Sequence, residues 1–270
     1  MSETTAVTHV ESVIHAAKAE RGGALVGYLP VGFPDLSTSI DAAVALAQNG
    51  ADVLELGLPY SDPVMDGPVI QAATQQALHN GFRVRDVFTA VREIRSRVDV
   101  PALVMTYWNP VSQYGVDRFA DALAEAGGSG LITPDITPDS AADWIAASDR
   151  AGLDRVFLAA PTSSDERLRM AAAASRGFVY AVSTMGITGE RKDVDASART
   201  LVSRLRSADA GTVCVGIGIS TGEQVRQVVE YADGAIVGSA LVHALADHGV
   251  AGIAELAGDL AVTRGTASTS

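Results

Sequence analysis

Three acidic residues accompany one short apolar run early in the chain. Glu55 lies within the run Val53–Leu56, and Asp62 and Asp66 follow in the segment directly after it. A lone ionised carboxylate in a buried strand is costly unless it is paired or protonated. A carboxyl group with a raised pKa can serve as a general acid or base near neutral pH. We therefore interpret this group as a candidate acid/base site, although each acid alone is typical of a helix cap or a strand edge.

The segment after Glu55 is predicted to be a loop. Glycine and proline interrupt regular structure, and the segment contains Gly57, Pro59, Pro63, Gly67 and Pro68. Such a loop can bring the carboxylate of Asp62 or Asp66 over the same space as Glu55.

Strands and helices are predicted to alternate along the whole chain, because short β-branched runs alternate with apolar residues at helical spacing. The predicted strands are Ala24–Leu29, Val53–Leu56, Ala102–Tyr107, Gly130–Thr133, Arg155–Leu158, Gly177–Val182, Thr212–Gly216 and Gly234–Val237. The predicted helices are Val7–Arg21, Ile40–Gln48, Val69–Asn80, Val84–Arg97, Val116–Ala126, Ala141–Ala151, Asp165–Ala174, Ala198–Ser207, Gly222–Glu230 and Leu241–Ala257. The segment Trp108-Asn109-Pro110 is expected to be a loop.

This order of elements predicts an α/β fold, a single (β/α)₈ TIM barrel formed by residues 1–270 with an extra N-terminal helix. An open doubly wound sheet is the rival fold. It is less favoured because the eight units are evenly spaced and no early Gly-x-Gly-x-x-Gly motif is present.

The composition excludes several classes of protein. The net charge of −12 argues against a nucleic-acid-binding surface, and no apolar run reaches the length of a membrane span. The N-terminal segment has no features of a signal peptide. Cys214, the single cysteine, lies between two valines and is expected to be a buried strand residue. We therefore expect a soluble, cytoplasmic protein.

Two glycine-rich segments follow the last two predicted strands. In a (β/α)₈ barrel the active site lies at the C-terminal ends of the strands, and the loops after strands seven and eight often bind phosphate. Here these loops are Gly216–Ser220 and Gly238-Ser239-Ala240. Glycine lets backbone N–H groups approach an anion, and Ser239 adds a hydroxyl at a helix start. Each segment alone is typical of a tight turn, but their two positions together favour a phosphate site.

Lysine and histidine are absent from the predicted strand ends, and this absence restricts the possible reaction mechanisms. The two lysines, Lys18 and Lys192, do not lie at strand ends, so a Schiff-base mechanism lacks its amine. All five histidines fall on predicted helices or termini, which argues against a zinc site. The remaining carboxylates, tyrosines and apolar residues suit acid/base chemistry on an apolar substrate with a phosphate tail, without a metal.

The segment Leu54–Pro68 resembles the signature of the tryptophan synthase α subunit family. Further matches are Met105–Pro110, Ser183–Gly189, Gly216–Ile219 and Gly238-Ser239, in the same order along nearly the whole chain. The resemblance implies a lyase of tryptophan biosynthesis that cleaves indole-3-glycerol phosphate to indole and glyceraldehyde 3-phosphate.

The resemblance also implies a role for each matching residue. Glu55 would be the catalytic acid/base and Asp66 the partner of the indole N–H. The phosphate would be bound by Gly189, Gly218, Gly238 and Ser239. The indole pocket and its surroundings would comprise Tyr28, Met105, Tyr107, Ile132, Leu158, Tyr180, Thr188 and Ile217. Two positions depart from the family pattern: Phe178 stands where a tyrosine is frequent, and Thr137 where a proline is usual.

A partner follows from the same resemblance. The α subunit passes indole through a tunnel to a pyridoxal-phosphate-dependent β subunit in an α₂β₂ assembly, so no cofactor or metal is expected in this chain. Asp62, Asn109 and Asp135 would lie at the docking face, with Asp62 coupling the loop to the partner.

The residue inventory makes this chemistry intelligible. Retro-aldol cleavage needs an electron sink, and protonation of indole C3 creates one within the substrate. A neutral Glu55 can give that proton, and an ionised Asp66 can stabilise the positive charge at the ring nitrogen. Glu55 or another group takes the proton of the glycerol C3′ hydroxyl. The rivals are another phosphate-binding barrel, such as an isomerase with two acids, and a non-catalytic homologue that only binds substrate and activates the β subunit.

Overall fold

Eight parallel strands form a closed barrel in a computed structural model that describes residues 8–182, 191–216 and 218–262. Neighbouring strands pair in chain order, and the last strand pairs with the first. The strands are β1 (Ala24–Pro30), β2 (Val53–Gly57), β3 (Ala102–Met105), β4 (Gly130–Thr133), β5 (Asp154–Ala159), β6 (Val179–Val182), β7 (Val213–Gly216) and β8 (Gly234–Val237). The predicted (β/α)₈ barrel is therefore confirmed, and the open doubly wound sheet is wrong.

Helices surround the barrel within the same described residues. They are α1 (His9–Arg21), α2 (Leu36–Gln48), α3 (Pro68–His79), α4 (Val84–Arg97), α5 (Trp108–Tyr114), α6 (Val116–Glu125), α7 (Ala142–Ala151), α8 (Asp165–Ala174), α9 (Arg191–Ser207), α10 (Gly222–Val229) and α11 (Ser239–Leu260). A short 3₁₀ turn spans Pro138–Ser140. None of the described helices is long and apolar enough to cross a membrane.

The extra N-terminal helix closes the end of the barrel opposite the candidate site. Val10, Ile14 and Ala17 of α1 are buried in one cluster with the inward-facing residues of the strands. Lys18 of α1 and Arg206 of α9 both pair with Asp233, a buried residue just before β8. Apolar burial and these ion pairs together hold α1 on the barrel floor.

Helix α5 corrects the prediction that Trp108-Asn109-Pro110 is a loop. The Asp135 carboxylate, from the loop after β4, accepts the Trp108 N–H at 2.8 Å and so caps the first turn. A negative side chain is favourable at a helix N-terminus, and Pro110 is tolerated because first-turn N–H groups lack intrahelical partners. This cap comes from a residue far along the chain, so the local sequence of α5 does not reveal it.

Other helix boundaries differ from the prediction, and the largest differences are at α2, α9 and α11. Helix α9 begins at Arg191 rather than Ala198. Helix α2 begins at Leu36 rather than Ile40, because the Asp35 carboxylate accepts the Thr38 N–H at 2.8 Å. Helix α11 extends beyond the predicted range but is interrupted at Gly249, whose φ of 63° and ψ of −155° are not helical. Glycine is the residue that adopts such a positive φ without strain.

Candidate active site

Glu55 projects into the barrel near its C-terminal mouth. Strand pairing aligns Glu55 with Tyr28 of β1 on one side and with Leu103 of β3 on the other. Only 2% of the Glu55 surface is exposed. This burial, with a smaller contribution from the negative charge of Asp66, raises the pKa of Glu55 to about 8. Glu55 is therefore mainly protonated at neutral pH.

The hydrogen bonding of Glu55 is consistent with a neutral carboxyl group. Its Oε2 atom is fully buried and has no hydrogen-bond partner among the described residues. An ionised carboxylate with an unpaired buried oxygen would lose more solvation than a protonated one. The group is therefore poised to give a proton to a ligand in the barrel mouth.

Asp66 comes from the β2–α3 loop and lies over the same space. It is half-buried, and desolvation raises its pKa to about 6, whereas a hydrogen bond with the Tyr107 hydroxyl acts to lower the pKa. The Tyr107 hydroxyl also accepts the Met65 N–H at 2.8 Å. Asp66 is therefore mainly ionised at neutral pH, the state opposite to that of Glu55.

Gln71 also supports the β2–α3 loop, and it was not predicted from the sequence. Its side-chain amide, in the first turn of α3, donates to the Asp66 carbonyl at 2.8 Å and to the Pro63 carbonyl at 3.3 Å. These bonds fix the backbone on which the Asp66 carboxylate is carried. An amide side chain placed just after the Pro68 helix start is the signal that could have indicated it.

One cavity of about 820 Å³, including its open mouth, contains both acids. The sequence-predicted residues in its lining are Tyr28, Glu55, Asp66, Met105, Ile132, Leu158, Tyr180, Gly218, Gly238 and Ser239. Residues in the lining that were not predicted are Met65, Gly67, Ile70, Pro134, Val182, Gly216 and Ile236. The walls are mainly apolar, with the two carboxyl groups near β2.

The glycine turns of β7 and β8 lie in the same cavity as the acids. Gly218 has a φ of 67°, which a residue with a side chain rarely adopts. Gly238 precedes α11, whose N-terminus at Ser239 has no side-chain cap among the described residues. The first backbone N–H groups of α11 are therefore available to an anion, as at other helix N-termini.

Tyr107 does not lie in the cavity wall where the sequence analysis expected it. It is buried behind the β2–α3 loop, and its ring centroid is 5.3 Å from that of Tyr60. Its hydroxyl is used to hold the Met65 backbone and the Asp66 side chain. The contact of Tyr107 is thus with the acid-bearing loop rather than with the cavity.

The predicted docking residues lie on the surface around the barrel mouth. Asp62 is exposed and accepts the Ser61 hydroxyl at 2.6 Å, and Asn109 is exposed in the first turn of α5. Asp135 is exposed and caps α5. Thr188 and Gly189, in the segment 183–190, and Ile217 lie outside the described residues.

The other residues singled out in the sequence are Phe178, Thr137, the five histidines and Cys214. Phe178 is buried, with its ring centroid 6.3 Å from that of Tyr180, and Thr137 precedes the 3₁₀ turn. All five histidines are exposed on helices, as predicted, and Cys214 is buried in β7. Within residues 8–182, 191–216 and 218–262, no three His, Cys, Asp or Glu side chains are grouped closely enough to hold a metal ion.

Comparison with known proteins identifies one family. The family model described as tryptophan synthase alpha chain matches residues 14–266. The tryptophan synthase alpha chain of Leifsonia xyli subsp. xyli is 71% identical over 255 residues, which are 94% of this chain and 98% of that protein. That of Mycobacterium avium is 55% identical over 249 residues, 92% of each chain.

Solved structures agree with the sequence relatives. A chain of Mycobacterium tuberculosis tryptophan synthase has a TM-score of 0.90 and 49% identity, covering 96% of this chain and all of that one (100%). The tryptophan synthase subunit alpha of Legionella pneumophila has a TM-score of 0.85 and 32% identity, covering 94% of this chain and 97% of its own.

Proposed function

This chain belongs to the tryptophan synthase alpha chain family, and we propose that Glu55 and Asp66 are the groups with which it cleaves its substrate. The subunit is a lyase that converts indole-3-glycerol phosphate to indole for the beta subunit in tryptophan biosynthesis. One observation carries the proposal: both acids line the cavity that also contains Gly218, Gly238 and Ser239. Acid/base groups and a phosphate site are thus within reach of one small substrate.

In the proposed first step, neutral Glu55 donates its proton to C3 of the indole ring. The ring then carries a positive charge centred on the indole nitrogen, and the ionised Asp66 stabilises this charge while accepting the indole N–H. A fixed carboxylate in a mainly apolar cavity is effective here because little water screens it. The pKa values of about 8 for Glu55 and about 6 for Asp66 support this division of roles.

In the second step, the bond between indole C3 and the adjacent chain carbon breaks. Its electron pair returns to the ring and neutralises the iminium, and the chain carbon becomes the aldehyde of glyceraldehyde 3-phosphate. The hydroxyl on that carbon must lose its proton. Glu55 is left as a carboxylate by the first step, and with a pKa near 8 it is a much stronger base than an ordinary carboxylate. We assign it this proton, which restores the starting acid.

The substrate phosphate is assigned to the turns after β7 and β8. Gly218, Gly238 and Ser239 present backbone N–H groups and a hydroxyl at the end of the cavity near α11. Local donors of this kind suit an anion in a protein whose net charge is −12. Gly189 is proposed to meet the same phosphate, and Thr188 and Ile217 to adjoin the indole, on the resemblance alone.

Release of indole from indole-3-glycerol phosphate by the purified chain, with no added metal, tests this function against its two rivals. An isomerase with two acids would convert a different phosphorylated substrate and release no indole. A non-catalytic homologue would bind the substrate without turnover.

The partner is proposed to be a pyridoxal-phosphate-dependent β subunit in an α₂β₂ assembly in the cytoplasm, with no cofactor in this chain. The M. tuberculosis relatives were solved as tryptophan synthase, which supports a partner. The exposed Val64 and Met65 (81% and 57%) offer apolar surface at the barrel mouth, beside Asp62.

Residues 1–270 are further proposed to form one domain, since the barrel strands extend from Ala24 to Val237.

Asp62→Ala is expected to leave indole release by the isolated chain unchanged and to reduce its stimulation by an added β subunit several-fold. The reason is that Asp62 is exposed on the loop that carries Asp66, outside the cavity lining. Indole release is measured with and without the β subunit, and Asp143→Ala on α7 is the control. Undiminished stimulation of the Asp62 variant would contradict this role.

A further inference from the structure

The side chain of Tyr28 spans the floor of the cavity from the phosphate turn to the acids. Tyr28 follows Gly27, which pairs with Val237 of β8, and it pairs directly with Glu55 of β2. A methyl group at Gly238 would lie 3.4 Å from Cδ1 of the Tyr28 ring. A methyl group at Gly57 would lie 2.3 Å from the Tyr28 hydroxyl oxygen. The ring therefore begins beside Gly238, and its hydroxyl ends over Gly57.

The hydroxyl group of Tyr28 has no hydrogen bond with any described residue, although the residue is only 6% exposed and lines the cavity. Burial, followed by the negative charges of Asp66 and Glu55, raises the pKa of Tyr28 well above its ordinary value. The hydroxyl is therefore neutral and can both donate and accept a hydrogen bond. Because Tyr28 lines the cavity and no described residue uses its hydroxyl, the hydrogen-bonding capacity of this hydroxyl is open to a ligand.

The position of the Tyr28 hydroxyl indicates which part of the substrate it can contact. If the phosphate binds at Gly238 and Ser239, and the indole ring at the two acids, the three-carbon chain must cross the Tyr28 ring. The hydroxyl oxygen lies at the acid end of the ring, over Gly57, rather than at the phosphate end. The chain carbon next to the indole, which bears a hydroxyl, is the nearest polar part of the substrate.

We propose that the Tyr28 hydroxyl binds the hydroxyl on the chain carbon adjacent to the indole ring, which makes Tyr28 a specificity-determining residue. This assignment rests on the proposed positions of the acids and the phosphate. It gives Tyr28 a polar role in addition to the apolar wall that the family resemblance implies. The bond orients the same hydroxyl that loses its proton during cleavage, and it favours chains that carry this group over chains that lack it.

Tyr28→Phe tests the proposal because it removes one oxygen and keeps the ring. The KM and kcat/KM for indole-3-glycerol phosphate are compared with the inhibition constant of indole-3-propanol phosphate, whose chain bears no hydroxyl. We expect kcat/KM to fall about tenfold, the scale of one lost hydrogen bond, and the inhibition constant to stay within about twofold. Tyr114→Phe, in the outer aromatic cluster with Phe88 and Phe119, is the matched control.

Two results would overturn the assignment. If Tyr28→Phe changes the constants for both ligands by the same factor, or changes neither, the hydroxyl does not contact the chain. Ser239→Ala distinguishes failure of the Tyr28 assignment from failure of the proposed phosphate position. This variant should weaken binding of both ligands, since both carry a phosphate group. If it weakens neither, the phosphate position is wrong, and the Tyr28 assignment fails with it.

Discussion

Glu55→Gln is expected to lower kcat for indole release by roughly three to four orders of magnitude, near the upper end for loss of a general acid/base. The effect should be large because Glu55 is assigned both proton transfers. Glutamine has nearly the shape of the protonated acid and is also neutral. Because the change in shape is small, the affinity for indole-3-propanol phosphate should stay within about threefold of the wild-type value. Steady-state turnover and calorimetric titration with this ligand measure the two effects separately.

The same variant should be more stable than the wild-type protein. Folding raises the pKa of Glu55 from 4.5 to about 8, so the folded state holds a proton that the unfolded state releases above pH 4.5. This costs stability as the pH rises from 4.5 to 8. At pH 7 the cost is at most about 3 kcal/mol, at 1.36 kcal/mol per unit of pKa. Glutamine removes the cost, so urea denaturation should show a higher free energy of unfolding.

Turnover and stability of the Glu55 variant together distinguish a catalytic role of Glu55 from a structural one. If Glu55 only holds the barrel together, its replacement should lower affinity, rate and stability in parallel. Glu125→Gln, at the exposed end of α6, is the matched control and should change none of them.

Asp66→Asn is expected to lower kcat by about 10²–10³-fold, the usual effect of removing one group that stabilises a transition-state charge. The amide still fits the loop, but it carries no negative charge to oppose the positive charge on the indole ring. The charge of Asp66 also contributes to the raised pKa of Glu55. In the variant, the fall of kcat/KM at alkaline pH should therefore begin at a lower pH than in the wild-type enzyme.

Asp62→Asn, in the same loop, is the control for Asp66→Asn, because it removes the same charge outside the cavity. The control should retain wild-type turnover and the wild-type alkaline limit. An Asp66 variant that raises KM alone, with an unchanged kcat, would show that Asp66 binds the substrate without stabilising the transition state.

The barrel could be predicted because its signals are local. Apolar β-branched runs, such as Val53–Leu56, and glycine or proline at their ends specify each strand and loop. A carboxylate inside such a run is conspicuous in the sequence, which is why Glu55 stands out before any coordinates are known. The position of the glycine turns after the last two strands indicated the phosphate site, and the family resemblance then supplied the separate roles of Glu55 and Asp66.

Features formed by residues distant in the sequence could not be predicted. The cap of α5 is Asp135, which reaches the Trp108 N–H from a different loop. Tyr107 is predicted to end the third strand but lies just after it, and only the path of the β2–α3 loop turns its hydroxyl toward Met65 and Asp66. The direction of the Tyr28 hydroxyl likewise depends on Gly57 in the neighbouring strand, where the missing side chain leaves room for it.

The central claim is that the enzyme acts with Glu55 protonated and Asp66 ionised, and the pH dependence of kcat/KM tests it most directly. Asp66 gains a proton as the pH falls through about 6, and Glu55 loses its proton as the pH rises through about 8. Activity should therefore fall on both sides of this window, with apparent pKa values that belong to the interacting pair. The inhibition constant of indole-3-propanol phosphate over the same range corrects for the second ionisation of the phosphate, which also lies near pH 6.

The measurement runs from pH 5 to pH 10 on the wild-type chain and on Asp66→Asn. We expect a bell-shaped profile of kcat/KM with limbs near pH 6 and pH 8, and loss of the acidic limb in the variant. A corrected kcat/KM that stays level or rises from pH 7 to pH 10 would contradict it, because Glu55 would then act only as a carboxylate.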